Sequence, residues 1–175
     1  MTPSPRATRK KFSLTRNDKP MEDLVKETDQ KTLAVWAIDC TERVMPFFEE
    51  NYPDDPRPRN AIIALRTWID TGVFRMADIR RASLAAHAAA REVGEDSAAR
   101  SVARAAGQAV AIAHVATHAP GAALYAQQAI FRAADPFDAE DAVARERDWQ
   151  YRHLPDLRSG KNPGTGKSAP DLNGK

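Results

Sequence analysis

Cysteine is almost missing from this chain. Its single thiol, Cys40, leaves no disulfide framework to hold the fold, and such usage fits a reducing, cytoplasmic setting. Long hydrophobic runs are missing too. No uninterrupted apolar stretch reaches the roughly 18 residues of a membrane-spanning helix. No apolar segment follows the basic N-terminus, which argues against a secretory signal. No segment alternates apolar and polar residues as a half-buried strand would. The nucleophile elbow, the paired-carboxylate motif and the glycine-rich dinucleotide fingerprint are all absent. These gaps point away from an enzyme and towards an all-α protein.

One short stretch stands against that pattern. Gly164-Thr165-Gly166-Lys167-Ser168 has the ending of a phosphate-binding loop. That loop needs a glycine five residues before Gly166, and the position is Lys161, with Gly160 one residue too far away. It also needs a buried strand before it and a helix after it, whose N-terminus faces the phosphates. Arg152-His153-Leu154-Pro155-Asp156-Leu157-Arg158 is not an apolar strand, and only seven residues, Ala169 to Lys175, follow Ser168. The stretch reads as a Gly/Pro/Lys tail.

The 175 residues are 42% hydrophobic and 29% charged, which suits one soluble domain with a real core. The net charge of +2 is unevenly spread. Residues 1–26 hold seven Lys/Arg and three Asp/Glu, residues 159–175 hold three and one, and residues 27–158 hold 16 and 20. The ends are therefore basic and the middle is mildly acidic, at −4. Both ends are poor in apolar residues and cannot offset their ordering entropy. The expected organisation is a basic disordered arm over 1–27, an all-α domain over 28–157 and a disordered tail over 158–175.

Within the middle, the spacing predicts about six helices. Leu33, Trp36, Ala37, Cys40, Val44, Phe47 and Phe48 recur at helical intervals, with Thr28 or Asp29 as a cap and Pro46 as a late bend or stop. Pro56 and Pro58 suit the opening of a second helix carrying Ala61, Ile62, Leu65, Trp68 and Ile69, with Gly72 as terminator. A third spans about Met76 to Arg91. A fourth is capped by Asp96 or Ser97. A fifth begins between Thr117 and Pro120, and a sixth spans about Asp138 to Tyr151. Between Ala82 and Ala134, 22 of 53 residues are alanine. Alanine favours helix and adds little bulk, so helices can approach closely. The expected architecture is a compact bundle whose bulky first two helices cover an alanine-rich inner layer.

Candidate polar residues are few. His114 and His118 are four apart and would share a face on an unbroken helix, with His87 able to approach as a third metal ligand. Pro120 interrupts that face, because it cannot donate to the carbonyl of Ala116 and crowds it. The plainer expectation is that these histidines are partly buried and bond backbone groups freed at the break, and that His87 packs among alanines. Cys40, on an apolar face, is expected to be buried and inert. Trp36 and Trp68 are expected in the core, and Trp149 either there or at an interface.

Four blocks then carry a resemblance. They are Leu33-Ala34-Val35-Trp36-Ala37-Ile38-Asp39-Cys40-Thr41-Glu42-Arg43-Val44, Asp55-Pro56-Arg57-Pro58-Arg59-Asn60-Ala61-Ile62, residues 82–91, and residues 105–119. In this order they resemble the fifth-family-like immunity proteins of bacterial polymorphic-toxin systems, over about residues 30–157. The resemblance implies an all-α protein, encoded beside a toxin, that protects its producer by binding that toxin and has no catalytic residues to carry over. No cofactor is expected, and the cytoplasmic expectation rests on the single cysteine. Its recurrent polar positions correspond to Trp36, Asp39, Arg57, Arg59, His87, His114, Thr117 and His118, which could serve the fold or the partner. The acidic middle leans the expectation towards a basic toxin. Two other readings stand beside it. One is a metal-binding helical enzyme or regulator using His87, His114 and His118. The other is a nucleic-acid-associated protein acting through Arg9-Lys10-Lys11 in the basic arm, which the charge of the bundle opposes.

Overall fold

A computed structural model describes residues 11–14, 18–94, 96–161 and 172. Among them the chain is all-α. It forms eight α-helices and one short 3₁₀ turn rather than about six helices, and no strand.

The first helix, α1 (Lys19–Lys26), corrects the expected arm. Asp18 caps it by accepting from the Met21 N–H, and Met21 and Val25 are buried. Proline in its first turn costs no hydrogen bond that the helix would otherwise make. Phe12 also packs on the core, its ring 5.6 Å from that of Phe131. The N-terminal segment therefore contributes to the fold from residue 12. At the other end, Leu172 packs partly buried against the core. The phosphate-loop fragment and the Arg9-Lys10 part of the basic run lie outside the described residues.

The remaining boundaries follow local chemistry. α2 (Gln30–Val44) starts at Asp29, whose carboxylate accepts from the Thr32 N–H. Pro46 then opens a one-turn helix, α3 (Pro46–Glu49). α4 (Arg57–Thr71) begins at the paired prolines and ends on Gly72, whose φ of 68° is the left-handed value that favours glycine. α5 (Met76–Glu92) leads to Ser97, which caps α6 (Ala98–Ala111) through the Arg100 N–H. A 3₁₀ turn, Ala116–His118, precedes α7 (Ala119–Ala133), which has Pro120 in its first turn. α8 (Ala139–Arg158) is a full turn and more longer than the spacing predicted, and it contains Pro155.

The long helices alternate in direction, so their connections gather at two ends. Arg57 at the start of α4 pairs with Glu92 at the end of α5, and Arg132 near the end of α7 pairs with Asp96. These pairs, with α3, mark one end. At the other, Gln30 reaches the carbonyls of Ile112 and Ala113, and Lys31 reaches that of Ile69.

α6 is the inner helix, packed by α5, α7, α4, α2 and α3. Its buried residues are small: Ala99, Ser101, Val102, Ala103, Ala105, Ala106, Gly107, Ala109 and Val110. Bulk comes from the helices around it. Trp36, Leu33, Ile38, Ile62, Leu65, Ile130 and Leu154 are fully buried, each contributing about 1.5–3 kcal/mol of apolar burial for its size class. No helix among the described residues is long and apolar enough to cross a membrane.

Candidate functional site

The eight candidate positions separate into three groups. The first is a polar seam between α2 and α8. Trp36 is fully buried and its indole N–H donates to the Gln150 carbonyl at 2.9 Å. One turn later, Asp39 accepts from His153 Nε2 at 2.7 Å. Arg43, another turn on, forks onto Glu146 at 3.0–3.2 Å and lies over the Trp149 ring, 4.0 Å from its centroid. Trp149 also stacks on His153 at 4.6 Å. The Gln150 side chain, fully buried, accepts from Gln127 and donates to the Ala123 carbonyl, tying in α7. Burial raises the Glu146 carboxyl above its ordinary range, and the Arg43 guanidinium opposes that rise.

Spacing did not pick out Glu146, Gln150 and His153. They repeat at four and three residues on one face of α8, so the helical period was present. The hydrophobic reading looked only for apolar side chains on that period. Trp149 is a partner within this seam rather than a free surface anchor. Cys40, beside it, is fully buried, and burial pushes its thiol well above the ordinary value, which disfavours the nucleophilic thiolate.

The second group lies at the α3 end. Arg57 binds Asp55 at 2.7 Å and Glu92 at 2.6 Å, joining the connection before α4 to the end of α5. Arg59 binds Glu42 at 2.6 Å and Glu49 at 2.8 Å, joining α4 to α2 and α3. These carboxylates push both guanidinium pKa values further up, so each stays charged. Both arginines act as clamps between elements.

The third group holds the histidines. Gly107 on α6 leaves room for the His87 imidazole from α5, where a Cβ would meet the ring at 2.7 Å. Arg104 donates to His87 Nδ1 at 3.3 Å, and Ser83 Oγ donates to the Gly107 carbonyl at 3.0 Å. Burial is the main cause of a lowered His87 pKa, with Arg104, Arg91 and His118 adding to it. His118 Nδ1 donates to Gln108 Oε1 at 2.8 Å, and burial followed by His114 lowers its pKa. His114 is exposed and stacks on Phe74 with ring centroids 6.3 Å apart. Thr117 is exposed in the 3₁₀ turn.

This corrects the expected role of the two later histidines. Neither bonds the backbone at the helix break. Gln30 satisfies the freed carbonyls of Ile112 and Ala113, which leaves the imidazoles to side chains. The break itself separates His114 from His118, because α6 ends at Ala111 and α7 begins only at Ala119. His87, His114 and His118 are not gathered as metal ligands, and no three His, Cys, Asp or Glu side chains among the described residues are placed to hold a metal ion.

Accessible apolar side chains stand on the sides of α4 (Ile63) and α5 (Leu84) and at the two ends. At the histidine end, Val73, Phe74 and Met76 are exposed beside His114. At the α3 end, three connections hold many carboxylates. Among the described residues, 45–56 carry four Asp/Glu, 92–97 two and 134–141 four, and several of them pair with Arg57, Arg59 and Arg132. Phe137 is 91% exposed in the connection before α8, and Tyr52 is partly exposed in the connection after α3.

The sequence model of a family described as "Imm-5 like putative immunity protein" matches residues 23–157. That span runs from the second half of α1 to the last turn of α8, and the chain belongs to this family. No curated protein and no solved structure matches the chain.

Proposed function

We propose that this member of the Imm-5 like immunity family is a non-catalytic protein that binds a cognate bacterial toxin in the producer's cytoplasm and neutralises it. Family membership across residues 23–157 is the observation that carries this reading. The fate of the polar candidates supports it. Trp36, Asp39, Arg57 and Arg59 are spent on contacts between helices, as expected of a rigid scaffold that works through its surface.

The α3 end is the contact surface of this proposal, and the toxin is basic. Four of this end's carboxylates, Glu49, Asp55, Glu92 and Asp96, are paired with Arg57, Arg59 and Arg132. The others in these connections, with the exposed ring of Phe137 beside Asp135 and Asp138 in the chain, are the charge and the apolar anchor of the proposed contact. Charge of one sign steers an oppositely charged partner and fixes its orientation, while a buried aromatic anchor supplies affinity. Typical stable complexes bury about 1,200–2,000 Å² in total, an area that one end of a small bundle can offer.

A growth assay tests the reading. The toxin encoded beside this gene is expressed with the full chain and without it. Rescue by the full chain is the expected result. Continued killing in the presence of folded, abundant protein would sink the proposal.

A further inference from the structure

The outer face between α6 and α7 carries an arrangement that toxin binding does not call for. Arg100 and Arg104 lie one turn apart on α6. Tyr125, Gln128 and Arg132 follow three-and-four spacing on α7. All five line a cavity of about 330 Å³, bordered by Leu14 from the N-terminal segment and by Asp96. Among the described residues, three guanidiniums therefore face a space with one carboxylate, and that carboxylate is 85% exposed to solvent.

The groups differ in how far they are already engaged. Arg132 is fixed, donating to Ser101 Oγ at 2.9 Å, to the Ser97 carbonyl at 3.3 Å and to Asp96 at 3.0 Å. Arg104 is steadied by His87. Gln128 accepts from Ser101 Oγ at 2.9 Å, which leaves its amide N–H groups as donors. Arg100 forms no ion pair among the described residues. The charge here is felt locally, since Arg104 and Arg91 add to the burial that disfavours protonated His87. Planar guanidiniums match oxyanions in geometry, and clusters of them select groups with several acceptor oxygens. The volume sits at the small end of ligand sites, which run from about 300 to 1,000 Å³.

We propose that the α6–α7 cavity is a binding site for a phosphate group, held by Arg100, Arg104 and Arg132. The Tyr125 hydroxyl and the Gln128 amide complete the donors. Leu14 and the Tyr125 ring form an apolar wall beside the anion, able to cover the body of a small phosphorylated molecule. Asp96 competes for Arg132 and sets the affinity from the opposite side. The site shares Asp96 with the acidic α3 end, but its ligand binding can be tested without a toxin.

The experiment is calorimetric titration of the full chain, at constant ionic strength and near neutral pH, with inorganic phosphate and separately with adenosine monophosphate. The same titrations are made on Arg100→Gln and Asp96→Asn. Arg100 has no ion pair among the described residues to lose, and asparagine tolerates the positive φ of 53° at position 96. Saturable binding is expected, weakened about tenfold or more by Arg100→Gln through loss of a charge-assisted contact. Asp96→Asn is expected to tighten it severalfold. Tighter binding of the nucleotide would assign a phosphorylated small molecule, and equal binding would assign phosphate itself; both support the site. No saturable binding of either probe, or binding that Arg100→Gln leaves unchanged, overturns it.

Discussion

His153 on α8 donates to Asp39 on α2 across 2.7 Å, joining positions 114 apart in the chain. The bond sits inside the bundle, with the imidazole stacked on Trp149. Asp39→Ala leaves the His153 N–H buried without its acceptor. That loss costs about 1–3 kcal/mol. Urea unfolding should show it as a lower midpoint at unchanged slope, and a change below about 0.5 kcal/mol would mean that the pair does not hold the helices.

Gly107 and His87 form a steric lock. In most helix interiors, replacing glycine by alanine stabilises by about 1 kcal/mol. Here the new methyl would collide with a ring held by Arg104. Gly107→Ala should therefore destabilise by about 1–2 kcal/mol. In a His87→Ala background the same change should stabilise. A double-mutant cycle reads the reversal directly, and additivity of the two changes would refute the lock.

Acid should weaken the fold through two histidines. His87 and His118 both have pKa values lowered from 6.5, mainly by burial. The unfolded chain then takes up protons before the folded one does. Their contribution is complete above about pH 6.5 and is lost as pH falls towards the folded values. Thermal midpoints should be flat above that pH and decline below it. His87→Gln should reduce the decline, and an equally steep loss in that variant would remove His87 as a cause.

Glu146 and Arg43 make the costliest single break. The carboxylate is completely buried and the guanidinium is 15% exposed. Glu146→Ala strands that cation and empties part of the seam, with a loss of about 3–5 kcal/mol. Circular dichroism melts would register it. A cost under about 1 kcal/mol would show that Arg43 finds water instead.

At the acidic end, stability and protection should separate. Phe137 is 91% exposed, so Phe137→Ala should change stability by less than about 0.5 kcal/mol. The same variant should weaken toxin binding by about 2 kcal/mol or more if the ring is an anchor. Toxin affinity and growth protection, measured beside a melt, make the comparison. Unchanged protection would move the contact surface away from this end.

Most of the helices were legible, and for identifiable reasons. Asp29, Ser97, Gly72 and the prolines at 46, 56, 58 and 120 act locally, so their signals survive without knowledge of neighbours. α1 was hidden because only Met21 and Val25 of its eight residues are buried, too few to stand out within a charged arm. The extent of α8 was hidden by Pro155. That proline leaves the Tyr151 carbonyl without its helical donor, but both residues are exposed, so water can satisfy the carbonyl and the helix continues. Continuation brings His153 and Leu154 into the core. Of the polar candidates, Trp36 and His87 declared their packing roles. Asp39 could not, because its partner lay beyond the expected end of the last helix.

The alanine layer has one more consequence. A methyl group has no rotamers, so the faces where α6 meets α5 and α7 give up almost no side-chain freedom on folding and have no alternative arrangement to adopt afterwards. The interior behaves as a spine of fixed gauge. Any larger side chain along it must push whole helices apart, and a contact made at one end has few movable parts through which to reach the other. Change, whether in motion or over evolutionary time, is left to the connections at the two ends.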